Sequence, residues 1–159
     1  MSPVDYLKYF GRVDLNNTLI ARFRPAETVP DRITDLMSEV GFRRAVILSA
    51  IGSFSEATFY GVKPDSELPY GTEQITKISM RGPFEVLTME GNILPSSDRP
   101  IHHLHVVLGM HDGRVVGGHL EKATVYTTLE LFLAEIKGCN VEKQNDKIAG
   151  GVQIKLPIN

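Results

Sequence analysis

The histidines are the residues of this chain whose type and spacing suggest chemistry. Three of the five lie in the run HHLH at positions 102–105, and a fourth, His119, ends a Gly-Gly-His sequence further along the chain. Side chains alternate between faces along a β-strand, so His103 and His105 share one face of a strand. Neutral imidazoles are ligands for Zn²⁺ and similar divalent ions. The pattern therefore indicates a metal site if His119 lies on that same face.

The position of His119 depends on the length of the turn between the two strands. A three-residue loop over residues 111–113 pairs Met110 with Arg114. Counting along both strands from that pair places His105 directly opposite His119, on one face of the hairpin. A two-residue loop over residues 112–113 moves His119 to the other face, because a one-residue slip inverts the side-chain pattern. The metal-site hypothesis therefore requires the three-residue loop.

Three imidazoles leave the fourth position of a tetrahedral ion open for water or an exogenous ligand, which is typical of catalytic zinc. His102 points away from His103, and His111 occupies the turn, so neither is a predicted ligand. We predict that His103, His105 and His119 bind one divalent ion, with zinc as the expected metal. The alternative interpretation is that they are sheet histidines that hydrogen-bond to neighbours or line a subunit interface.

Three polar residues that precede the histidine hairpin could assist chemistry at such an ion. Glu85, Glu90 and Asn92 could supply a general acid or base, or an orienting hydrogen bond, although Glu90 could equally face solvent or an interface. No nucleophile motif or phosphate-binding glycine loop points to a specific reaction. The single cysteine, Cys139, excludes an intramolecular disulfide and has no neighbouring cation that would activate it.

Composition predicts one soluble globular domain over residues 1–159. The chain is 42% hydrophobic and 23% charged, which is close to the usual globular balance. Its net charge of −2 gives no overall cationic surface for nucleic acid. The N-terminal sequence MSPVDYLKYF has no basic leader followed by an apolar run, and no apolar stretch approaches the roughly 18 residues of a membrane span. We therefore expect an unprocessed cytoplasmic protein that does not enter a membrane.

Hydrophobic periodicity predicts one helix among many strands. Ile33, Leu36, Met37 and Val40 follow helical spacing after Pro30, and Gly41 would end the helix. The strongest strand patterns cover residues 18–24, 43–51, 54–62, 75–80, 84–93, 101–110 and 114–120. The first of these suits a strand near the interior of a sheet, because both of its faces are partly apolar.

Two segments of this pattern have more specific interpretations. Gly52 and Ser53 separate two apolar runs and are interpreted as a hairpin turn. The run TVYTTLELFLAEI from residue 124 alternates like a strand, although Leu129, Leu133 and Ile136 could also line a helix; we interpret it as mainly strand. The pattern predicts an α+β fold, a mostly antiparallel β-sheet with one long α-helix packed on it.

The ordered blocks GPFEVLTMEGNI (82–93), HLHVVLGMHDGRVVGGHL (103–120) and TVYTTLELFL (124–133) resemble the plants-and-prokaryotes-conserved domain, or PPC domain. The resemblance extends over residues 18–137 and is to the stand-alone prokaryotic type. It implies an antiparallel sheet with one long helix, assembled as a homotrimer. Prokaryotic members carry the His-x-His and Gly-Gly-His elements, which fall here on His103, His105 and His119, and zinc binding through them is implied for some.

The resemblance also extends to the domain of plant AT-hook nuclear-localised proteins, where AT-hook segments bind DNA and the PPC domain mediates assembly and partner contacts. This chain has no Arg-Gly-Arg-Pro core, and Pro83 stands where the plant block has Arg. Two hypotheses follow. The first is a homotrimeric metal-binding module with a DNA-binding or regulatory role by family analogy. The second is a metal-dependent enzyme that acts on an unidentified small molecule.

Overall fold

A computed structural model of the chain describes residues 14–156, except for the side chain of Asn16. Residues 1–13, on which the expectation about a leader rests, lie outside the described residues. Within the described range, no helix is long and apolar enough to cross a membrane. The elements are β1 Asp14–Phe23, β2 Thr28–Val29, α1 Asp31–Glu39, β3 Ala45–Val62, β4 Ile75–Leu94, β5 Ile101–Gly109, β6 Val115–Lys137, β7 Glu142–Asn145 and β8 Val152–Lys155.

The main sheet is antiparallel and closes on itself. Its strands follow the order β1-β6-β3-β4-β5, and β5 also pairs with β6, so that β6, β3, β4 and β5 form a closed ring. Strands β5, β2 and β1 pair in succession with residues 115–119, 123–124 and 129–137 of β6. A separate hairpin of β7 and β8 follows the main sheet.

Helix α1 is short, so the prediction of one long helix is wrong. It covers nine residues and buries Ile33 and Met37 in the core. The helical periodicity of the sequence extends only as far as Val40, and Gly41 follows with a φ of 74°, a left-handed conformation that ends helices readily. The fold is therefore mostly antiparallel β-sheet with a single short helix.

The hairpin predicted at Gly52 and Ser53 is absent, because β3 runs through both residues without a turn. Gly52 instead marks a close approach of β3 to β6. A Cβ at this position would collide with the backbone oxygen of Thr128. In addition, Gly52 has a φ of 150°, which residues with a side chain rarely adopt. The two strands predicted at 75–80 and 84–93 likewise form one strand, β4. The interpretation of the TVYTT run as strand is confirmed by β6.

The core fills the inside of the closed sheet with apolar side chains. Fully buried members include Phe54, Phe84, Met89, Leu104, Leu108, Leu129 and Leu131. On the outer face, Ile20 of β1 and Phe132 of β6 are directly opposite each other and remain 63% and 40% exposed. Strand β1 lies at the end of the strand order, so the prediction that it lies in the sheet interior is wrong.

Candidate metal centre

The loop between β5 and β6 sets the register of the histidines. The Met110 amide donates a hydrogen bond to the Arg114 carbonyl at 2.8 Å, and the Gly113 amide donates to the Met110 carbonyl at 3.0 Å. Gly113 has a φ of 84°. Asp112 accepts hydrogen bonds from the amide and the guanidinium of Arg114, which stiffens the loop. These contacts confirm the three-residue loop predicted from the sequence.

The histidines converge as that loop requires. His105 pairs directly with His119, and His103 lies two residues back on the same face of β5. The ring centroids of the three pairs are 5.1, 5.1 and 5.3 Å apart. One ligand nitrogen from each ring lies within 4.8 Å of the others. The cluster, which we call the His triad, has a donor set that could bind a divalent metal ion.

The triad lies on the outer face of the closed sheet. The alternate residues of β5, Leu104, Val106 and Leu108, are buried in the core, so the histidines between them point outward. His105 is exposed, whereas His103 and His119 are partly buried. An ion held here would therefore have access to solvent or to a dissolved ligand.

Burial and neighbouring charges keep two of the rings neutral. Desolvation lowers the pKa of His119 to about 4, and the nearby His103, His105 and Lys143 add to the effect. Desolvation, followed by Lys143 and His105, also lowers the pKa of His103. Because only the neutral ring offers a lone pair to a metal, these shifts favour coordination at neutral pH.

Tyr60 supports the triad from the neighbouring strand. It pairs with His119 across β3 and β6, and the two rings stack with centroids 4.0 Å apart and an interplanar angle of 29°. Burial raises the pKa of Tyr60, so its phenol stays protonated. The stacking holds the His119 ring in one orientation, which is how neighbouring groups orient metal ligands.

Two of the three polar residues of β4 that the sequence suggested as assisting groups lie close to the triad. Glu90 and Asn92 lie opposite His105 and His103, on the face of the triad. Glu90 is exposed and accepts a hydrogen bond from the Thr88 hydroxyl at 3.1 Å. The buried Oδ1 of Asn92 has no hydrogen-bond partner among the described residues.

Glu85 and the two remaining histidines of the hairpin lie apart from the triad. Glu85 pairs with Gly109, at the loop end of β5. The Nε2 of His102 lies 2.5 Å from the Thr34 hydroxyl of α1, and burial lowers the pKa of this ring. His111 is exposed in the loop. The structure thus places His102 and His111 outside the triad, as predicted.

Lys143 is a neighbour of the triad that sequence reasoning missed. Its Nζ lies 3.4 Å from Nδ1 of His103, and the residue is only 3% exposed. It occurs in β7, within the polar run EKQN, which has no feature that distinguishes it from surface sequence. Only the packing of the β7–β8 hairpin brings this lysine to the triad.

A surface cleft borders the triad on the side of His119. Its volume is about 640 Å³. His119 and Tyr60 form part of its wall, together with His102, Arg99 and Lys122. A volume of this size falls in the range that holds small-molecule ligands.

The fold and the triad define a compact antiparallel β-sheet protein with an outward-facing three-histidine site. The model of the Plants and Prokaryotes Conserved (PCC) domain, which is the PPC domain named above, matches residues 12–137. The chain belongs to this family, and the resemblance seen in the sequence is confirmed. The β7–β8 hairpin, from Glu142 to Lys155, lies outside the matched range.

Several solved structures resemble the chain. A PPC protein from Pyrococcus horikoshii is 27% identical with a TM-score of 0.76, covering 92% of this chain and 99% of that one. A metal-containing protein from Archaeoglobus fulgidus is 27% identical with a TM-score of 0.75, covering 87% and 93%. A protein from Ralstonia eutropha named as a candidate DNA-binding protein is 22% identical with a TM-score of 0.74, covering 87% and 90%, and shows the fold alone.

The chain also matches part of a much longer curated protein. It is 27% identical to the bifunctional protein GlmU of Synechococcus sp. (strain JA-3-3Ab) over 136 residues, which make up 85% of this chain and 20% of that protein. The chain thus spans about a fifth of the length of the curated relatives that it matches.

Proposed function

We propose that the protein is a metal-binding PPC-domain protein that holds one divalent ion, zinc, through His103, His105 and His119. The observation that carries the proposal is the approach of three ligand nitrogens to within 4.8 Å of one another. An all-imidazole donor set without a thiolate suits zinc. The metal-containing relative from Archaeoglobus fulgidus supports the proposal.

The residues around the triad have separate roles in this proposal. The three imidazoles bind the ion and leave a position open, and Tyr60 holds the His119 ring by stacking. A bound ion supplies Lewis-acid polarisation of an oxygen at that open position. Asn92 pairs with His103, and its Oδ1, which has no hydrogen-bond partner within residues 14–156, is available to accept a hydrogen bond from a bound water or ligand.

The test is elemental analysis of protein purified without an affinity tag. Wild type and His111→Ala should each hold about one zinc per chain, whereas His105→Ala and His119→Ala should lose most of it, because each removes one of three protein ligands. His111→Ala is the matched control, since His111 lies in the same hairpin and outside the triad. Equal metal content in all four proteins would eliminate the site.

We further propose a homotrimer. The closed sheet leaves apolar side chains on its outer face, including the opposed pair Ile20 and Phe132 and the neighbouring Ile51, which is 52% exposed. Burial of this surface between copies removes it from water. The number three rests on the resemblance to PPC proteins.

The biological role proposed for this assembly is that of an interaction module, with DNA as the partner suggested by the plant relatives. Support for DNA comes from family analogy and not from charge, since the net charge is −2. Any contact with DNA must therefore come from a local group of arginines and be weak and sensitive to salt.

The second candidate function is a metal-dependent enzyme that acts on a small molecule. The observation that favours it is the cleft of about 640 Å³ that shares His119 and Tyr60 with the triad. A substrate in the cleft would lie against His119, one of the three proposed ligands, and an ion bound there could polarise its carbonyl or a water. Loss of metal with retention of the folded assembly would favour this function over a scaffold role.

A further inference from the structure

Lys143 is a buried lysine that has no anionic partner in the described part of the chain. The residue is 3% exposed, and no salt bridge to it occurs among residues 14–156. Its only side-chain hydrogen-bond contact in that range is Nδ1 of His103. Removal of an ammonium from water costs free energy unless an opposite charge compensates it.

Hydrogen bonds to two other parts of the chain hold the backbone around Lys143 in place. The Lys143 amide donates a hydrogen bond to the Pro95 carbonyl at 2.8 Å, which attaches β7 to the loop after β4. Two residues earlier, the carbonyl of the buried Val141 accepts a hydrogen bond from Arg44 at 2.7 Å. Strand β7 then pairs with β8.

The Lys143 ammonium places a positive charge beside the His triad. The contact is with His103, whose Nδ1 lies 3.4 Å from the Lys143 Nζ. A divalent ion on the triad would add two more positive charges. Glu90, the acidic residue opposite His105, is exposed and accepts a hydrogen bond from the Thr88 hydroxyl. The His triad itself contains no carboxylate.

We propose that the ligand of this site is a small oxyanion that bridges the metal ion and Lys143. One oxygen takes the open position of the ion, and another accepts a hydrogen bond from the Lys143 ammonium, as charge-assisted hydrogen bonds do at anion sites. This inference rests on the proposed metal site. Lys143 lies outside the part of the chain that matches the family model, so the bridge is a property of this chain's β7 and not of the matched domain.

The oxyanion can be the carboxylate of an organic acid or a phosphate group. The two share the chemistry that Lys143 and the ion recognise, and they differ in charge and in the number of oxygens. The cleft beside His119 has room for the remainder of an organic molecule in either case. Acetate and inorganic phosphate are therefore the two probes, with acetamide as a neutral molecule of similar size to acetate.

The experiment is a titration of Co²⁺-loaded protein with each probe, followed by visible absorption of the cobalt ion. The proteins are wild type, Lys143→Met, Lys143→Gln and the control Lys147→Met, which removes an exposed lysine from the turn between β7 and β8. Wild type and the control should bind acetate or phosphate with a saturable spectral change and ignore acetamide. Both Lys143 variants should keep one Co²⁺ and lose about tenfold or more in affinity for the anion.

The outcomes separate this inference from the proposed function. Co²⁺ binding with equal anion affinity in wild type and the Lys143 variants would overturn the role of Lys143, as would a wild type that binds Co²⁺ and neither anion. Failure of wild type to bind Co²⁺ would overturn the metal site and the bridge together. Preference for acetate would identify an organic acid as the ligand, and preference for phosphate would identify a phosphate compound. Circular dichroism verifies that both Lys143 variants are folded.

Discussion

His105 and His119 face each other across the β5–β6 hairpin, with their ring centroids 5.3 Å apart. This relationship depends on a loop of three residues in which Gly113 takes a left-handed conformation. The pair brings together two parts of the chain that each carry a short histidine motif. A single residue more or less in the loop would separate them.

Deletion of His111 should abolish metal binding without removing any ligand. Shortening the loop to two residues slips the register of β6 against β5 by one position, and this slip turns His119 toward the other face. Zinc content per chain should fall to the level of His119→Ala. His111→Ala keeps the loop length and should keep its zinc. Retention of zinc by a folded deletion variant would contradict the dependence of the site on register.

The stability of the metal-free protein should fall as the pH drops from 7 to 5. The folded-state pKa of His119 is lowered to about 4, below the roughly 6.5 of an unfolded histidine, so between these values the unfolded chain binds more protons than the folded one. The stabilisation is therefore present above pH 6.5 and is lost progressively toward pH 4. Urea unfolding in the presence of a chelator measures the free energy of unfolding at each pH.

His119→Gln is the matched variant for this pH effect. Glutamine does not titrate in this range, so the urea midpoint of the variant should decline less between pH 7 and 5 than that of wild type. His111→Ala, whose side chain is exposed, should decline as wild type does. Parallel declines in wild type and His119→Gln would show that other groups cause the pH dependence.

Charged substitutions at Ile20 and Phe132 should dissociate the proposed trimer. The two side chains are opposed on the outer face and are partly exposed in the single chain, so Ile20→Glu with Phe132→Glu should cost the isolated fold little. Sedimentation equilibrium should give about three times the chain mass of 17.6 kDa for wild type and a lower mass for the double variant. Ile148→Glu, at a position that is 80% exposed near β8, is the control. A wild-type mass of one chain at micromolar concentration would contradict the assembly.

Direct binding to DNA should be detectable only at low salt. The net charge of −2 provides no long-range attraction, so the contacts would be few and confined to local arginines. A gel-shift titration should show retardation of a duplex at low salt and its loss as the salt concentration approaches the physiological value. Absence of any retardation at micromolar protein and low salt would exclude direct DNA binding and leave partner proteins as the contacts of the module.

Much of the triad could be predicted from the sequence, because it depends on local rules. Alternation along β5 places His103 and His105 on one face, and a His-Asp-Gly turn with Gly113 in the left-handed position sets the pairing with His119. The position of helix α1 and the strand character of the run in β6 follow from periodicity in the same way. These features involve residues close together in the chain or across one short turn.

The tertiary structure decided the features that depend on distant contacts. Gly52 looks like a turn residue in isolation, yet it lies within a continuous strand, at a point where β6 approaches its backbone too closely for a side chain. Closure of the sheet through β5 and β6 fixed which face became the outside. Lys143 reached His103 only because β7 is attached to the loop after β4. Periodicity reports which side of its own strand a residue occupies, whereas a neighbour that comes from a distant segment is determined by how the segments pack.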